Sequence, residues 1–227
     1  MSSCARSAST ARSDMVNIGA LQLRRLGADD VVERFDCGDE DLNDFILTDA
    51  PLYYRVRLAT SYVLEDKTTG DVIGYFSLAH DRISLTDFPS NSAYNRFRKK
   101  FFAQGKMFKS YPALKICRLA TDKRHRGSGI GAMLVNMIIA SYKNENKAGC
   151  RFITVDAYAD ALNFYFKQGF LPLSKEDEGA DTRLLYFDLE SFRPVGNMQH
   201  SKSIAQSLLS LTWRDTYAEQ NSAGLAE

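Results

Sequence analysis

The most informative stretch of the sequence is Arg124-His125-Arg126-Gly127-Ser128-Gly129-Ile130-Gly131. It follows an apolar segment typical of a strand and precedes a segment with helical periodicity. Such a junction directs unpaired backbone N–H groups and the positive end of a helix dipole toward one point. Glycines let the backbone approach an anion closely, and arginines add charge suited to phosphate. The stretch therefore predicts a phosphate site.

The spacing of the glycines argues against two common nucleotide sites. A Walker loop ends in Gly-Lys-Ser or Gly-Lys-Thr, and this ending is absent. A dinucleotide fingerprint requires G-x-G-x-x-G, whereas positions 127, 129 and 131 give G-x-G-x-G. A plain strand-to-helix turn, with glycines that serve packing, remains the structural alternative.

The segments around this stretch predict the elements that hold it. The strand before it is expected at Leu114–Ala120 and a buried strand after it at Phe152–Ala157. Asp160 is expected to cap a helix over Ala161–Gln168, with Gly169 just beyond its end. The helix between the two strands should bury one face at i, i+3, i+4, i+7 spacing, formed by Ile130, Met133, Leu134, Met137, Ile138 and Ser141.

Farther out, the pattern changes from hairpins to strand-helix-strand units, which predicts a mixed α/β (α+β) fold. The acidic start of Asp29–Phe35 predicts a short helix, Asp36-Cys37-Gly38 a turn with a buried cysteine, and Leu42, Phe45 and Ile46 a second helix to about Ala50. The expected outer strands are Leu21–Leu26, a hairpin of Ser61–Glu65 with Val72–Leu78, and Arg183–Leu189.

Composition limits the domain count and the function classes. With 227 residues, 44% of them hydrophobic, the chain can bury one sizeable core. We expect one domain at 15–190, a disordered extension at 1–14 and a polar tail at 191–227 with an amphipathic helix. A net charge of +1 gives no general attraction to nucleic acid or membrane. Four dispersed cysteines argue against a metal site or a disulfide framework and favour the cytoplasm.

Two motifs resemble those of the GNAT acetyltransferases. Arg124–Gly129 matches Arg-x-x-Gly-x-Gly, the family's signature for the coenzyme A pyrophosphate, and the preceding Cys117–Asp122 is similar to its pantetheine-pairing strand. Ala161–Phe170 resembles the second landmark, A-x-x-F-Y-x-x-x-G-F. The resemblance covers about residues 21–189. It implies a centrally antiparallel mixed sheet flanked by helices, with a V-shaped opening at the cofactor strand.

The resemblance also implies acetyl-CoA as cosubstrate and direct attack of a neutral amine on its thioester. Tyr165 would be the acid for the departing thiolate; packing in the core is the alternative. The base stays unassigned among His80, His125, Asp156 and a chain of waters. The residues implied in cofactor binding are Leu119, Ala120, Thr121, Arg124, His125, Arg126, Gly127, Ser128, Gly129, Ile130, Gly131 and Asn163.

An insertion at 84–111 carries basic and aromatic residues without an acid between Asn95 and Ser110. This composition is typical of an RNA-contacting segment. Alternatively, the helical spacing of Tyr94, Phe97 and Phe101 predicts a short helix with a solvated basic face. The basic residues are Arg96, Arg98, Lys99, Lys100, Lys106 and Lys109.

The acceptor amine stays open among a small molecule, a protein and an aminoacyl-tRNA. Phe35–Gly38 with Leu42 and Phe45, together with Arg118–Ala120, resembles the GNAT branch that includes bacterial toxins which acetylate aminoacyl-tRNA. That resemblance implies an antitoxin partner, and a homodimer is a further expectation; no membrane partner is expected. A coenzyme A-binding module without catalysis is the alternative from another class.

Overall fold

The computed structural model describes residues 18–102, 107–144 and 148–191. The predicted N-terminal extension and the predicted tail helix lie outside the described residues. Within the described part, no helix is both long and apolar enough to cross a membrane.

Seven strands of the described chain form one mixed sheet in the order β1-β2-β3-β4-β5-β7-β6. Neighbouring strands are antiparallel except β4 and β5, which are parallel. This arrangement confirms the mixed fold with an antiparallel centre. The bounds are Leu21–Arg25 (β1), Thr60–Asp66 (β2), Val72–Ser84 (β3), Ser110–Thr121 (β4), Phe152–Tyr158 (β5), Leu171–Pro172 (β6) and Thr182–Asp188 (β7).

The helices lie on both faces of the sheet. Their bounds are Glu40–Asp44 (α1), Ala50–Arg55 (α2), Asn91–Phe101 (α3), Ile130–Asn144 (α4) and Leu162–Lys167 (α5), with a π-helical turn at Phe45–Asp49 between α1 and α2. The predicted second helix is therefore longer than expected and irregular. Asp39 caps it, since its side chain accepts from the N–H of Leu42 at 3.1 Å.

The helix predicted at Asp29–Phe35 is wrong, because this segment has no helical turns. Asp30 does not cap a helix; its carboxylate accepts from the N–H of Gly27 at 2.6 Å and pairs with Arg24 at 3.1 Å. Val32 and Phe35 are buried from an irregular backbone. The turn that follows is confirmed, since Cys37 is buried and Gly38 has a φ of +79°.

The predicted N-cap of α5 is also wrong. Asp160 belongs to a 3-10 turn, Ala159–Ala161, and the cap position of α5 is Ala161, which makes no side-chain cap bond. The other end is as expected. Gly169 has a φ of +88°, and its N–H donates to the carbonyl of Phe166 at 3.0 Å.

Three apolar clusters divide the two faces of the sheet. The largest packs α4 and α5 on one face, with Leu134, Met137 and Phe170 among its most buried members. On the opposite face, one cluster gathers α1 and α2 around Tyr75, and another gathers α3 around Phe152. The strip between these two clusters is polar, and the site lies along it.

The 84–111 insertion caps the long β3–β4 pair, which extends to Ser84 and Ser110. The helical alternative is confirmed here, since Tyr94 and Phe97 on α3 are buried against the sheet. The solvated basic face needs a correction at Arg98, which is only 8% exposed. The exposed basic residues of α3 are Arg96, Lys99 and Lys100.

Candidate active site

A cleft opens where β4 and β5 separate. The two strands pair only from Ala113 with Phe152 to Lys115 with Thr154. Just beyond, the register between β3 and β4 shifts and leaves Cys117 as an extra residue in β4. A bulge of this kind bends a strand and increases its twist, so β4 turns away from β5. The result is a V-shaped cleft of about 280 Å³.

The cleft exposes an edge of β4 that has no strand partner on the β5 side beyond Lys115. Backbone amides on such an edge need partners, and an extended ligand can supply them. Residues predicted from the sequence that line the cleft are Leu119, Ala120, Thr121, Arg126 and Tyr165. Asn163, also predicted to bind the cofactor, is exposed on α5 and does not line the cleft.

The phosphate cradle, residues 124–131, connects β4 to α4. A 3-10 turn, Lys123–His125, leads into it, and the Ser128 hydroxyl donates to the carbonyl of His125 at 2.6 Å. Gly127 and Gly129 have φ of +75° and +86°, and a Cβ added at either would meet no atom within 4 Å. The two glycines therefore leave space beside the first turn of α4, which fits a phosphate group.

Gly131 differs from the other two glycines of the cradle. It lies inside α4, and a Cβ there would approach the Phe164 ring at 3.4 Å. Gly131 thus allows close packing of α4 against α5, and contact of its backbone with the cofactor stays a prediction.

Arg124 is held by two carboxylates. Its Nε donates to Asp122 Oδ1 at 2.9 Å, and its Nη1 donates to Asp71 Oδ2 at 3.2 Å. Asp122 is buried; desolvation alone would raise its pKa, but hydrogen bonds from Arg124 outweigh this and lower the pKa. The sequence did not single out Asp122, because neither its burial nor its contact with the Asp36 N–H can be read from a local pattern.

Replacing Asp122 with Asn should loosen this end of the cradle. Because hydrogen bonds to charged groups contribute about 1.5–3 kcal/mol, we expect Tm to fall by about 4–8 °C near neutral pH. Asp122 has a lowered pKa when folded, so its contribution is present above its unfolded pKa of about 3.9 and is lost as the pH falls below it. Thermal unfolding from pH 7 to pH 3 measures both effects.

Asp71, which also contacts Arg124 and is one-third exposed, offers a control. Asp71→Asn should cost less than about 1 kcal/mol, as is typical of exposed ion pairs. Equal losses in the two variants would contradict the role of Asp122.

The turn at 36–38 is fastened to the cradle. Lys123 N–H donates to the carbonyl of Asp36 at 2.8 Å, and the side chains of these two residues form an ion pair. Arg126 Nη2 donates to the carbonyl of Cys37. The turn therefore forms one wall of the cleft. Arg126, which contacts this turn, belongs to the cradle and also lines the cleft.

Tyr165 lies at the boundary between core and cleft. Its ring packs edge-on against Phe164 and Phe170, with centroids 5.0 and 5.4 Å away. It also lines the cleft, and no described residue hydrogen-bonds to its hydroxyl. Burial raises the pKa of this hydroxyl above its ordinary range, so the group keeps its proton at neutral pH. A protonated hydroxyl at the cleft is suited to the predicted role of an acid for the departing thiolate.

The groups considered as a base lie in different places. His80 is exposed on β3 opposite Leu114 and does not line the cleft, and His125 belongs to the cradle. Asp156 lines the cleft and pairs with Lys115 at 2.5 Å. The side chain is 48% exposed, although most of β5 is buried.

Two further residues that the sequence did not assign to the site, Arg118 and Tyr158, line the cleft. Arg118 lies over the Phe45 ring at 4.1 Å and is 3.7 Å from Asp41, and its Nε has no partner among the described residues. Tyr158 is 55% exposed at the end of β5. Arg118 meets Phe45 and Asp41 only because the sheet packs against the α1 region, so no local pattern identifies this contact.

Comparison with known proteins gives a consistent result. A family model described as an acetyltransferase (GNAT) domain matches residues 99–190. The solved structure of AtaT complexed with acetyl-methionyl-tRNAfMet is 30% identical, with a TM-score of 0.61, and the match covers 75% of this chain and 96% of that chain. AtaTR bound with AcCoA is 29% identical, with a TM-score of 0.61 and coverage of 76% and 96%. A Tyr-to-Phe mutant of KacT is 26% identical, with a TM-score of 0.59 and coverage of 75% and 96%.

Proposed function

Because this chain belongs to the GNAT acetyltransferase family, we propose that it transfers the acetyl group of acetyl-CoA to the amino group of an aminoacyl-tRNA. The observation that carries the choice of acceptor is the likeness to AtaT, which one structure holds with acetyl-methionyl-tRNAfMet. Acetyl-CoA and aminoacyl-tRNA are both used in the cytoplasm, so a cytoplasmic location is part of the proposal.

The cosubstrate supplies an activated acetyl thioester. The residues of the chain would bind it, stabilise the developing charge and supply a proton. The cradle would bind its phosphates through backbone N–H groups beside Gly127 and Gly129. The free edge of β4 at Leu119–Thr121 would hold its extended arm, and a backbone N–H there would stabilise charge on the thioester oxygen. Tyr165 would donate a proton to the sulfur as the carbon–sulfur bond breaks.

The chemistry of the cleft favours an α-amino group over a lysine side chain. Among the described residues that line it, the carboxylates are Asp39, Asp156 and Asp160, and there is no His or Glu. With pKa values of about 7.7–8.0, roughly a quarter of α-amino groups are already neutral near pH 7.4, against about one lysine in a thousand. A cleft that offers only weak bases therefore suits an α-amine.

The proposal is tested with purified protein and radiolabelled acetyl-CoA. Acetylation is compared on aminoacyl-tRNA, deacylated tRNA and a lysine-containing peptide. We expect label on the aminoacyl-tRNA alone, at the α-amino group. Label on the peptide would favour a protein acceptor, and binding of CoA without any transfer would favour a non-catalytic module.

We propose that the exposed basic residues of α3 contact the phosphate backbone of the tRNA. Each neutralised phosphate adds a slope of about −0.7 to −0.9 to log affinity against log salt. Changing Arg96, Lys99 and Lys100 together to Ala should therefore flatten this slope by about two to three, measured by filter binding. Arg98 is left in place because it is buried.

A matched control removes three exposed lysines elsewhere, Lys67, Lys167 and Lys175. This variant should keep the wild-type slope, and both variants should keep wild-type affinity for acetyl-CoA. A full salt dependence in the α3 variant would remove α3 from the tRNA surface.

An antitoxin is the protein partner that the comparisons support. AtaT has been solved bound to the C-terminus of the antitoxin AtaR and acetyl-CoA. We include a partner of this kind in the proposal for the present chain. The homodimer stays a prediction.

A further inference from the structure

A strip of polar side chains crosses the sheet between the α3 cluster and the α1–α2 cluster. Thr154 Oγ1 donates to Asp81 Oδ2 at 2.5 Å, and Lys115 Nζ pairs with Asp156 Oδ2 at 2.5 Å. These residues share the face of Tyr186, because side chains alternate along each strand. The start of α4, with the cradle, lies on the opposite face. The strip therefore lies where an acceptor can approach without meeting the cofactor phosphates.

Beyond the point where β4 and β5 separate, Asp156 is the first residue of β5 on the face of this strip. Pairing with β4 ends at Thr154, and the alternation turns Val155 into the core of the α4 face. Asp156 lines the cleft directly and is half-exposed, so it faces both the cleft and solvent.

The carboxylate of Asp156 is only partly used. Lys115 occupies Oδ2, while Oδ1 has no hydrogen-bond partner among the described residues. Desolvation opposes the charge on Lys115, but its hydrogen bond to Asp156 and the nearby charges of Asp156 and Asp81 together outweigh this and raise its pKa. Lys115 thus remains an ammonium group, and Asp156 already accepts a hydrogen bond from one nitrogen.

We propose that Asp156 is the proton acceptor of the reaction and binds the acceptor amine through Oδ1. This inference rests on the proposed function, since it takes an aminoacyl ester as the acceptor. The amine nitrogen donates one N–H to Oδ1, which directs its lone pair toward the thioester on the β4 side of the cleft. Lys115 stays on Oδ2 and leaves Oδ1 to the amine.

The step balances in atoms and electrons. The nitrogen lone pair forms the new N–C bond, and the C–S bond breaks with its electron pair on sulfur. The N–H proton passes to Asp156, and Tyr165 supplies the proton for sulfur. A weak base is sufficient, because the nitrogen loses its affinity for the proton as its lone pair enters the new bond. The exposed carboxylate then returns its proton to solvent, and Tyr165 regains a proton from solvent through the cleft.

The test compares Asp156→Asn with Asp160→Asn, which removes another carboxylate from the same cleft. Asp156→Asn should lower kcat/KM for aminoacyl-tRNA by about 10²–10⁴-fold, and Asp160→Asn by less than about tenfold. The affinity of both variants for CoA should equal that of the wild type. Equal losses in the two variants, or full activity of Asp156→Asn, would overturn the proposal.

A second variant separates the carboxylate from its ion pair. Lys115→Met breaks the same pair but keeps Asp156, so it should lose much less activity than Asp156→Asn. Similar losses in the two variants would show that activity depends on the ion pair rather than on the carboxylate as a proton acceptor, and would overturn the proposal. Thermal unfolding is measured for each variant, and we expect Tm to change little, since exposed ion pairs contribute about 0–1 kcal/mol.

Binding gives a readout that does not depend on turnover. With CoA present instead of acetyl-CoA, so that no transfer can occur, the wild type should bind tRNA carrying a hydrolysis-resistant, amide-linked amino acid more tightly than deacylated tRNA. Asp156→Asn should reduce this preference by about tenfold or more, because a hydrogen bond to a charged group is lost. If the wild type neither binds nor acetylates aminoacyl-tRNA, the proposed function fails; if it does both and the variant keeps the preference, only the role of Asp156 fails.

Discussion

Replacing Tyr165 with Phe is expected to lower kcat by about 10²–10⁴-fold, the usual effect of losing a positioned general acid. The Kd for acetyl-CoA should stay unchanged, because the hydroxyl would act only as sulfur takes up charge. The ring contacts with Phe164 and Phe170 are kept in this variant, so the fold should not change. Steady-state kinetics and calorimetry measure the two quantities separately.

A control for the loss of a buried hydroxyl is Tyr186→Phe. Tyr186 is buried in the α3 cluster and does not line the cleft. This variant should keep its kcat. A Tyr165→Phe enzyme with full kcat would return Tyr165 to a packing role and leave the sulfur to be protonated by water.

The elements around the cradle were predictable because their signals are local. Gly127 and Gly129 have positive φ and lie between a strand and a helix. Glycines at such a junction can be recognised from the sequence alone. The burial of Leu134 and Met137 follows from helical periodicity in the same way. The position of Tyr165 follows from its spacing to Gly169, which ends α5.

The cleft itself depends on features that no local pattern encodes. Its V shape requires an extra residue in β4 at Cys117, and a bulge depends on the register of two strands far apart in sequence. Likewise, Lys115 and Asp156 meet only because β4 and β5 pair in one particular register. Sequence reasoning found Asp156 but could give neither its exposure nor its partner.

Arg98 shows how helical spacing alone can mislead. It follows Phe97 directly and lies one turn after Tyr94, so it falls at the edge of the apolar face of α3. The helix packs deeply enough that Arg98 is covered as well, and its Nε has no partner among the described residues. Depth of packing is a tertiary property, so composition predicted a solvated face where the structure has a buried guanidinium.

Changing Gly129 to Val is expected to weaken binding of acetyl-CoA by about 100-fold. A Cβ at Gly129 projects into open space beside the start of α4, where the pyrophosphate is predicted to lie. The β-branched side chain would separate the phosphate from backbone N–H groups, and hydrogen bonds to charged groups contribute about 1.5–3 kcal/mol each. Calorimetric titration with acetyl-CoA measures the change.

Backbone strain is the effect that must be separated from loss of the phosphate site. Gly129 has a φ of +86°, and a left-handed conformation costs a residue with a side chain about 1–2 kcal/mol. Gly179 has the same φ of +86° and the same open surroundings, but lies between β6 and β7. Gly179→Val should therefore lower Tm as much as Gly129→Val does while it keeps wild-type affinity for acetyl-CoA. Unchanged affinity for acetyl-CoA in a folded Gly129→Val protein would show that the phosphates bind elsewhere.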